Sequence, residues 1–149
     1  MSKSKRRIKQ QKPIEKRIPL PSVPEEGGIS FSFRYLDLSK EKFQVEQGFA
    51  AEYYPVFIDR LKALSSMRKQ ELLSNRSSSL RFEPIDFKMT SEQGGFPIPN
   101  KELWEASSYQ VSVTANKYGR LHGFFLNYES YHVFHIVWLD PNHMLFPSK

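Results

Sequence analysis

Alternation of apolar and polar positions is clearest in the last quarter of the chain. Apolar side chains occupy every second position of residues 109–114, which is the pattern of a half-buried strand. A turn at 115–119 separates this strand from residues 120–126, and a second turn at 127–130 leads into residues 131–139. This last run is apolar on both faces, so we expect it to be the central strand. Short turns between sequential strands predict an antiparallel meander.

The upstream pattern predicts one strand followed by helices. Residues 29–36 alternate aromatic or aliphatic side chains with serine and arginine, which indicates a strand with one apolar face. Residues 39–47 are predicted to form a short helical segment. Residues 54–63 carry apolar side chains at helical spacing, with Pro55 in the first turn, where its missing N–H costs nothing. A shorter helix is predicted for residues 67–73. The apolar stripe of the longer helix is Tyr54, Phe57, Ile58, Leu61 and Leu64.

The segment before the meander contributes one more strand. Residues 80–87 have strand character, but Pro84 confines them to a sheet edge because proline cannot donate to a ladder. Residues 90–100 are predicted to be a loop, followed by one helical turn at 101–106. The order of elements predicts a single α+β domain over residues 29–149, with helices on one face of a largely antiparallel sheet.

Positive charge is concentrated at the start of the chain. Residues 1–20 hold eight of the 22 Lys and Arg side chains and one acidic residue, whereas the rest of the chain holds 14 basic and 15 acidic side chains. Prolines and the lack of aromatic residues predict that residues 1–28 form a disordered basic arm. Two interpretations stay open: an electrostatic tether to RNA or DNA, or a solvated tail that maintains solubility. The arm residues predicted to contact nucleic acid are Lys3, Lys5, Arg6, Arg7 and Lys9.

Composition excludes several classes of protein. The chain has no cysteine, so it has no disulfide framework, thiolate metal site or cysteine nucleophile. No apolar run approaches the ~20 residues that span a bilayer, and the basic start lacks the apolar core of a secretory signal. There is no phosphate-binding glycine loop and no Gly-x-Ser-x-Gly elbow. We therefore expect a soluble cytoplasmic protein with no cofactor and no membrane contact.

All four histidines lie in the predicted meander or just beyond it. His132 and His135 are three residues apart on a strand, so their side chains point to opposite faces and do not chelate one ion. A set of His122, Asp140 and another histidine is geometrically possible, but it lacks the spacing of usual ligand sets. The sequence therefore predicts no metal site.

A phosphate or proton-transfer site is the sharper hypothesis. Arg120 and His122 are two residues apart on one strand and project from the same face. Lys117 lies in the preceding turn, and His143 follows the last strand, where a crossing of the chain would bring it near. Arginine to bind a phosphate and histidine to move a proton are the minimum equipment for cleaving RNA through its 2′-hydroxyl. The alternative is that Arg120 and His122 form the solvated face of a strand.

These residues resemble a known family. The segments Tyr109-Gln-Val-Ser-Val, Tyr118-Gly-Arg-Leu-His-Gly-Phe and His132-Val-Phe-His-Ile-Val-Trp are similar to the C-terminal half of RelE/ParE-like toxins. The upstream order, a strand with alternating aromatics followed by a helical hairpin, is similar as well. The resemblance covers roughly residues 29–75 and 104–146. It implies a RelE-like fold and a metal-independent endoribonuclease that cleaves mRNA, works with the ribosome and is held inactive by an antitoxin.

The resemblance also assigns roles to single residues. Arg120 matches the arginine that contacts mRNA phosphate in the ribosome-dependent members, and His143 matches a basic residue beyond the last strand. Phe146 takes the place of a C-terminal tyrosine and lacks its hydroxyl. Arg81 and Lys88 match the basic side chains of the second strand. The predicted catalytic residues are therefore Arg120, His122 and His143, with Lys117, Arg81 and Lys88 in nucleic-acid binding.

Two other functions remain open on the sequence alone. One is a non-catalytic nucleic-acid-binding domain whose affinity lies in the basic arm. The other is a protein-interaction module of a mobile-element or defence system, with apolar contacts from the meander and residues 76–103. The family itself includes gyrase poisons, so the resemblance does not fix the target. The sequence does not indicate an oligomeric state.

Overall fold

Five strands and two α-helices make up the described part of the chain. The structure is a computed structural model that describes residues 27–75, 77 and 79–147. The strands are β1 (Gly28–Ser32), β2 (Glu83–Pro84), β3 (Ser108–Ser112), β4 (Arg120–Asn127) and β5 (Tyr131–Asp140). The helices are α1 (Gln47–Ser65) and α2 (Lys69–Ser74). Three single 3-10 turns lie at Glu41–Phe43, Phe87–Met89 and Lys101–Leu103. The predicted arm, with its basic residues, lies almost entirely outside the described residues.

The sheet has the order β1-β5-β4-β3-β2. Strands β3, β4 and β5 pair antiparallel in sequence, which confirms the predicted meander and the α+β class. Strand β1, however, pairs with β5 in parallel, with Gly28 opposite Tyr131. The sheet is therefore mixed. Parallel pairing requires a long connection, and the connection from β1 to β5, which contains both helices, is long enough for β5 to run in the same direction as β1. β5, which was predicted to be the central strand, is paired on both sides, but the middle strand of the five is β4.

Helix α1 begins earlier than its apolar pattern indicates. It starts at Gln47 rather than Tyr54, so Pro55 lies inside the helix and Gly48 lies in the first turn. Proline has no N–H to donate, so the carbonyl of Ala51 loses its usual helical partner. The predicted stripe was also partly wrong, since Tyr54 and Ile58 are exposed. The side chains that α1 buries are Tyr53, Phe57, Leu61 and Leu64.

Strand β1 is shorter than predicted. It ends at Ser32, and a turn follows in which the Leu36 N–H donates to the Phe33 carbonyl at 3.0 Å. The turn leaves the Phe33 side chain exposed and carries Tyr35 to the other side of the sheet, where its ring lies 5.6 Å from Phe124. The predicted segment 39–47 forms only the 3-10 turn at its centre.

Two apolar clusters cover the two faces of the sheet. The first joins the buried side chains of both helices to Leu121, Phe125 and Phe134. The second lies under the loops of the opposite face, and its buried members come from the loops and from β4 and β5. A register shift beside His122 lets two successive β5 residues, Val137 and Trp138, enter this cluster. The second cluster consists of Phe43, Ile98, Phe124, Val137, Trp138 and Leu145.

The 80–87 segment forms an edge strand of two residues. Glu83 and Pro84 pair antiparallel with Gln110 and Tyr109 at the end of the sheet, as the proline predicts. The predicted turn at 101–106 is present as Lys101–Leu103. Within the described residues, no helix combines the length and the apolar character that crossing a bilayer requires.

Candidate functional site

A polar cleft opens on the second face of the sheet, where β2, β3 and β4 meet the chain that follows β5. Its main part has a volume of about 210 Å³, and an adjoining part of about 190 Å³ shares Arg120 and His143 with it. We call both parts together the Arg120 cleft. The main part is lined by Glu83, Gln110, Arg120, Asp140, His143 and Phe146. The adjoining part is lined mainly by Arg81, Ser112, the 114–117 turn and Gly119.

Strand pairing explains why these residues meet. Glu83 lies opposite Gln110, and Arg120 lies opposite both Ser112 and Asp140. Directly opposed residues in antiparallel strands project from the same face of the sheet. Residues that are up to 57 positions apart in sequence therefore line one surface, and four strands contribute to it.

Arg120 is held at the centre of the cleft with only 15% of its side chain exposed. Its Nη1 lies 3.9 Å from Glu83 Oε1. Burial lowers the pKa of Arg120, Glu83 opposes that change and the charge of Arg81 adds to it. A guanidinium stays protonated even so. Arg120 therefore presents a partly desolvated positive charge to a ligand in the cleft.

Left-handed backbone conformations cluster around the cleft. Arg81, Tyr118 and His143 have φ values of 47°, 68° and 56°, and Gly119 has a φ of 65°. A Cβ atom on Gly119 would overlap the Asp140 carbonyl oxygen and lie 2.7 Å from the Pro141 carbonyl carbon. Only glycine fits this turn, which places the 114–119 segment against the end of β5. Non-glycine residues in this region cost about 1–3 kcal/mol each and concentrate at functional sites.

His122 and Asp140 form a buried pair beneath the cleft. His122 Nε2 lies 3.0 Å from Asp140 Oδ2, and neither side chain has more than 1% of its surface exposed. Burial lowers the pKa of His122, so the ring is neutral and its Nε2–H donates to Asp140. Burial alone raises the pKa of Asp140, but the hydrogen bonds from His122 and from two backbone amides outweigh it and lower the pKa overall. The pair is therefore a neutral imidazole and a carboxylate.

Asp140 fixes the chain that follows β5. Its Oδ1 accepts from the Met144 N–H at 2.6 Å, and its Oδ2 accepts from the Leu145 N–H at 2.9 Å. These bonds hold residues 141–146 over the sheet and place the exposed His143 beside Arg120. His122, which was predicted to move protons on a substrate, has no surface that a substrate can reach. Its contacts make it a residue that positions Asp140.

The remaining predicted residues are not all near the cleft. Arg81 and Lys117 line its adjoining part, and Lys117 Nζ also lies 3.3 Å from Glu52. Lys88 is exposed on the 87–89 turn and lines neither part. Among the described residues, no group of three His, Cys, Asp or Glu side chains is arranged to hold a metal ion. The arm residues Lys3, Lys5, Arg6, Arg7 and Lys9 lie outside the described part of the chain.

Two cleft residues carried no recognisable signal in the sequence. Glu83 precedes a proline in a short edge segment, and its register against β3 depends on a loop of more than 20 residues. Gln110 is a polar residue in an alternating strand, yet its side chain is buried and its Nε2 lies 3.4 Å from Glu83 Oε1. Knowledge of the strand pairing would have identified both.

No family model, curated protein or solved structure matches this chain. The resemblance to RelE/ParE-like toxins therefore stays a hypothesis drawn from the sequence pattern.

Proposed function

We propose that the protein is an endoribonuclease that binds a phosphodiester of RNA in the Arg120 cleft and cleaves it through the neighbouring 2′-hydroxyl. The observation that carries the proposal is the meeting of Arg120, Glu83 and His143 in one cleft. These side chains are the three kinds of group that such a reaction uses: a cation for the phosphate, a proton acceptor and a proton donor.

Arg120 supplies the phosphate contact. Its partly buried guanidinium donates charge-assisted hydrogen bonds to the non-bridging oxygens, and these strengthen as negative charge develops in the transition state. Glu83 is its present partner at 3.9 Å, a distance longer than a hydrogen bond, so the guanidinium retains donors for an anion. Arg81 and Lys117 add positive charge along the adjoining part of the cleft.

Glu83 acts as the general base and His143 acts as the general acid. The Glu83 carboxylate takes the proton of the 2′-hydroxyl while that oxygen attacks phosphorus. The bond from phosphorus to the 5′-oxygen breaks, and protonated His143 gives a proton to the leaving oxygen. The products are a 2′,3′-cyclic phosphate and a 5′-hydroxyl, with no net change in oxidation state. Each of these two side chains is expected to contribute about 10²- to 10⁴-fold to the rate.

The biological setting follows the sequence resemblance. We propose that the substrate is mRNA, that the ribosome presents it and that an antitoxin protein restrains the activity. The basic segment of residues 1–28 would add salt-dependent affinity for RNA.

Four single variants test the proposal on a short fluorogenic RNA. Arg120→Ala is expected to lower kcat/KM by about 10²- to 10³-fold. Glu83→Gln and His143→Ala are each expected to lower kcat by about 10²-fold or more. The matched control is Lys62→Ala, which removes one positive charge from the exposed side of α1 and should leave the rate unchanged.

Two results would contradict the proposal. One is full activity in Arg120→Ala with the wild-type fold confirmed by circular dichroism. The other is wild-type protein that binds RNA and, with or without ribosomes, leaves it intact. That second result would favour the non-catalytic nucleic-acid-binding domain.

A further inference from the structure

A second and larger cavity opens on the same face of the sheet as the Arg120 cleft. It is an apolar groove of about 600 Å³, and we call it the aromatic groove. Ser108 of β3 and Phe124 of β4 form its floor. Its polar lining consists of the side chains of Gln93 and Ser108 and of backbone groups. Its apolar walls are Phe87, Phe96, Pro97, Ile98, Leu103 and Trp104.

The rings that line the aromatic groove are held in fixed orientations. Trp104 is 63% exposed, yet its Nε1–H donates to the Ile98 carbonyl at 2.9 Å. Phe96 packs edge-on against Phe87 at 5.0 Å and against the buried Trp138 at 4.9 Å. The polar atom of the Trp104 indole is therefore already satisfied, and its exposed surface is available for stacking with a ligand.

The aromatic groove and the Arg120 cleft are neighbours. Ser108 lines the groove and Gln110 lines the cleft, and these residues are two positions apart on β3. Side chains two positions apart share one face of a strand and are about 7 Å apart. Arg120 itself lies opposite Ser112, four positions from Ser108 and therefore about 13 Å along the sheet from the floor of the groove. A single nucleotide does not span that distance, but a strand of a few nucleotides does. One RNA strand can therefore place a phosphate beside Arg120 and a base beside Trp104.

We propose that the aromatic groove binds an unpaired nucleobase of the same RNA strand whose phosphate is held in the Arg120 cleft, so that the substrate is single-stranded RNA. This inference rests on the proposed function and specifies its substrate class. Bases in a duplex are stacked on each other and do not offer a free face to Trp104. The groove has few polar groups that could distinguish one base from another, and every base has a face that stacks on an aromatic ring. The groove is therefore expected to accept different bases.

Binding to RNA that cannot be cleaved tests the inference. The probes are a single-stranded hexanucleotide with 2′-O-methyl groups, its fully abasic counterpart and its duplex. Wild-type protein is expected to bind the single strand most tightly and to show quenching of Trp104 fluorescence, since the other tryptophan, Trp138, is fully buried. Trp104→Ala is expected to weaken binding of the single strand by about 5- to 150-fold and to leave the abasic strand unaffected.

The control and the contrary results separate this inference from the proposed function. Tyr128→Ala removes an exposed aromatic ring at the β4–β5 turn and should not change affinity. Equal affinity of Trp104→Ala and wild type for the single strand would overturn the inference, even if Arg120→Ala still abolished cleavage. Fluorescence that responds to a proline-rich peptide but not to RNA would overturn it as well. Trp104-dependent binding without any cleavage would support the groove and contradict the nuclease.

Discussion

Replacing Asp140 by asparagine tests how the chain after β5 is held over the sheet. The wild-type carboxylate accepts three hydrogen bonds, from His122 Nε2, Met144 N and Leu145 N, at 3.0, 2.6 and 2.9 Å. Asparagine keeps one oxygen for the Met144 amide. Its NH₂ group, however, would face the Leu145 N–H and the His122 Nε2–H, both of which are donors.

The structure sets the size of the effect. His122 can change tautomer and accept from the new NH₂ group, because its Nδ1 has no partner among the described residues. The Leu145 backbone N–H can only donate, so in the variant it is left without an acceptor in a buried position. One unsatisfied buried donor and the loss of charge assistance together cost about 2–4 kcal/mol. Asp59→Asn, on the exposed side of α1, is the matched control and should change stability by less than about 0.5 kcal/mol.

Urea unfolding at pH 7, followed by circular dichroism, measures this difference. The variant is expected to unfold at a clearly lower urea midpoint with an unchanged m value. In addition, the free energy of unfolding of the variant should rise less with increasing pH than that of wild type. A carboxylate with a lowered folded pKa contributes stability above its unfolded pKa, and that contribution is lost as pH falls through the folded pKa. A midpoint equal to that of wild type would refute the assignment of Asp140 as the anchor of residues 141–146.

Three further predictions follow from the packing. Gly119→Ala should cost at least about 2 kcal/mol because its Cβ would meet the backbone at the end of β5, whereas Gly48→Ala, in open space, should be neutral or stabilising by up to about 1 kcal/mol. Thermal unfolding distinguishes the two, and equal melting temperatures would contradict the turn geometry. Phe57→Ala should cost about 3–5 kcal/mol and Ile58→Ala less than about 1 kcal/mol, because only the first is buried; equal losses in urea would show that the helix face is misassigned. Stability should also fall between pH 7 and pH 5. An imidazole whose pKa is lowered in the folded state binds fewer protons there than in the unfolded state as the pH falls below its ordinary pKa of 6.5. A urea midpoint that rises on acidification would be the contrary result. The histidines with lowered pKa are His122, His132 and His135.

Local patterns were sufficient to predict the meander and the edge strand. Alternation and short turns define β3, β4 and β5, and a single proline places β2 at the edge of the sheet. The parallel pairing of β1 with β5 was not predictable in this way, because it depends on the path of a connection that spans about 100 residues. The start of α1 was missed because Pro55 resembles a first-turn proline, whereas the buried Tyr53 and its neighbours extend the helix before it.

The candidate site could be predicted only in part. Arg120 and His143 were named from their positions on and after the strands, and the chain after β5, held by Asp140, brings them to one cleft. The sequence could not show that His122 would be buried, since an alternating strand does not reveal how a loop covers its face. The loop that carries Leu145 and Phe146 closes over this end of β4 and leaves Arg120 at the surface. Glu83 and Gln110 enter the site through cross-strand register alone.

Cleavage of a DNA strand that contains one ribonucleotide tests the central claim most directly. Such a strand offers a single 2′-hydroxyl, so the purified protein should cut only at the phosphodiester that follows it, leaving a 2′,3′-cyclic phosphate and a 5′-hydroxyl. The same strand with Arg120→Ala should remain intact over the same time. Cutting at deoxyribonucleotides, products with other ends, or equal cutting by Arg120→Ala would contradict cleavage through the 2′-hydroxyl in the Arg120 cleft.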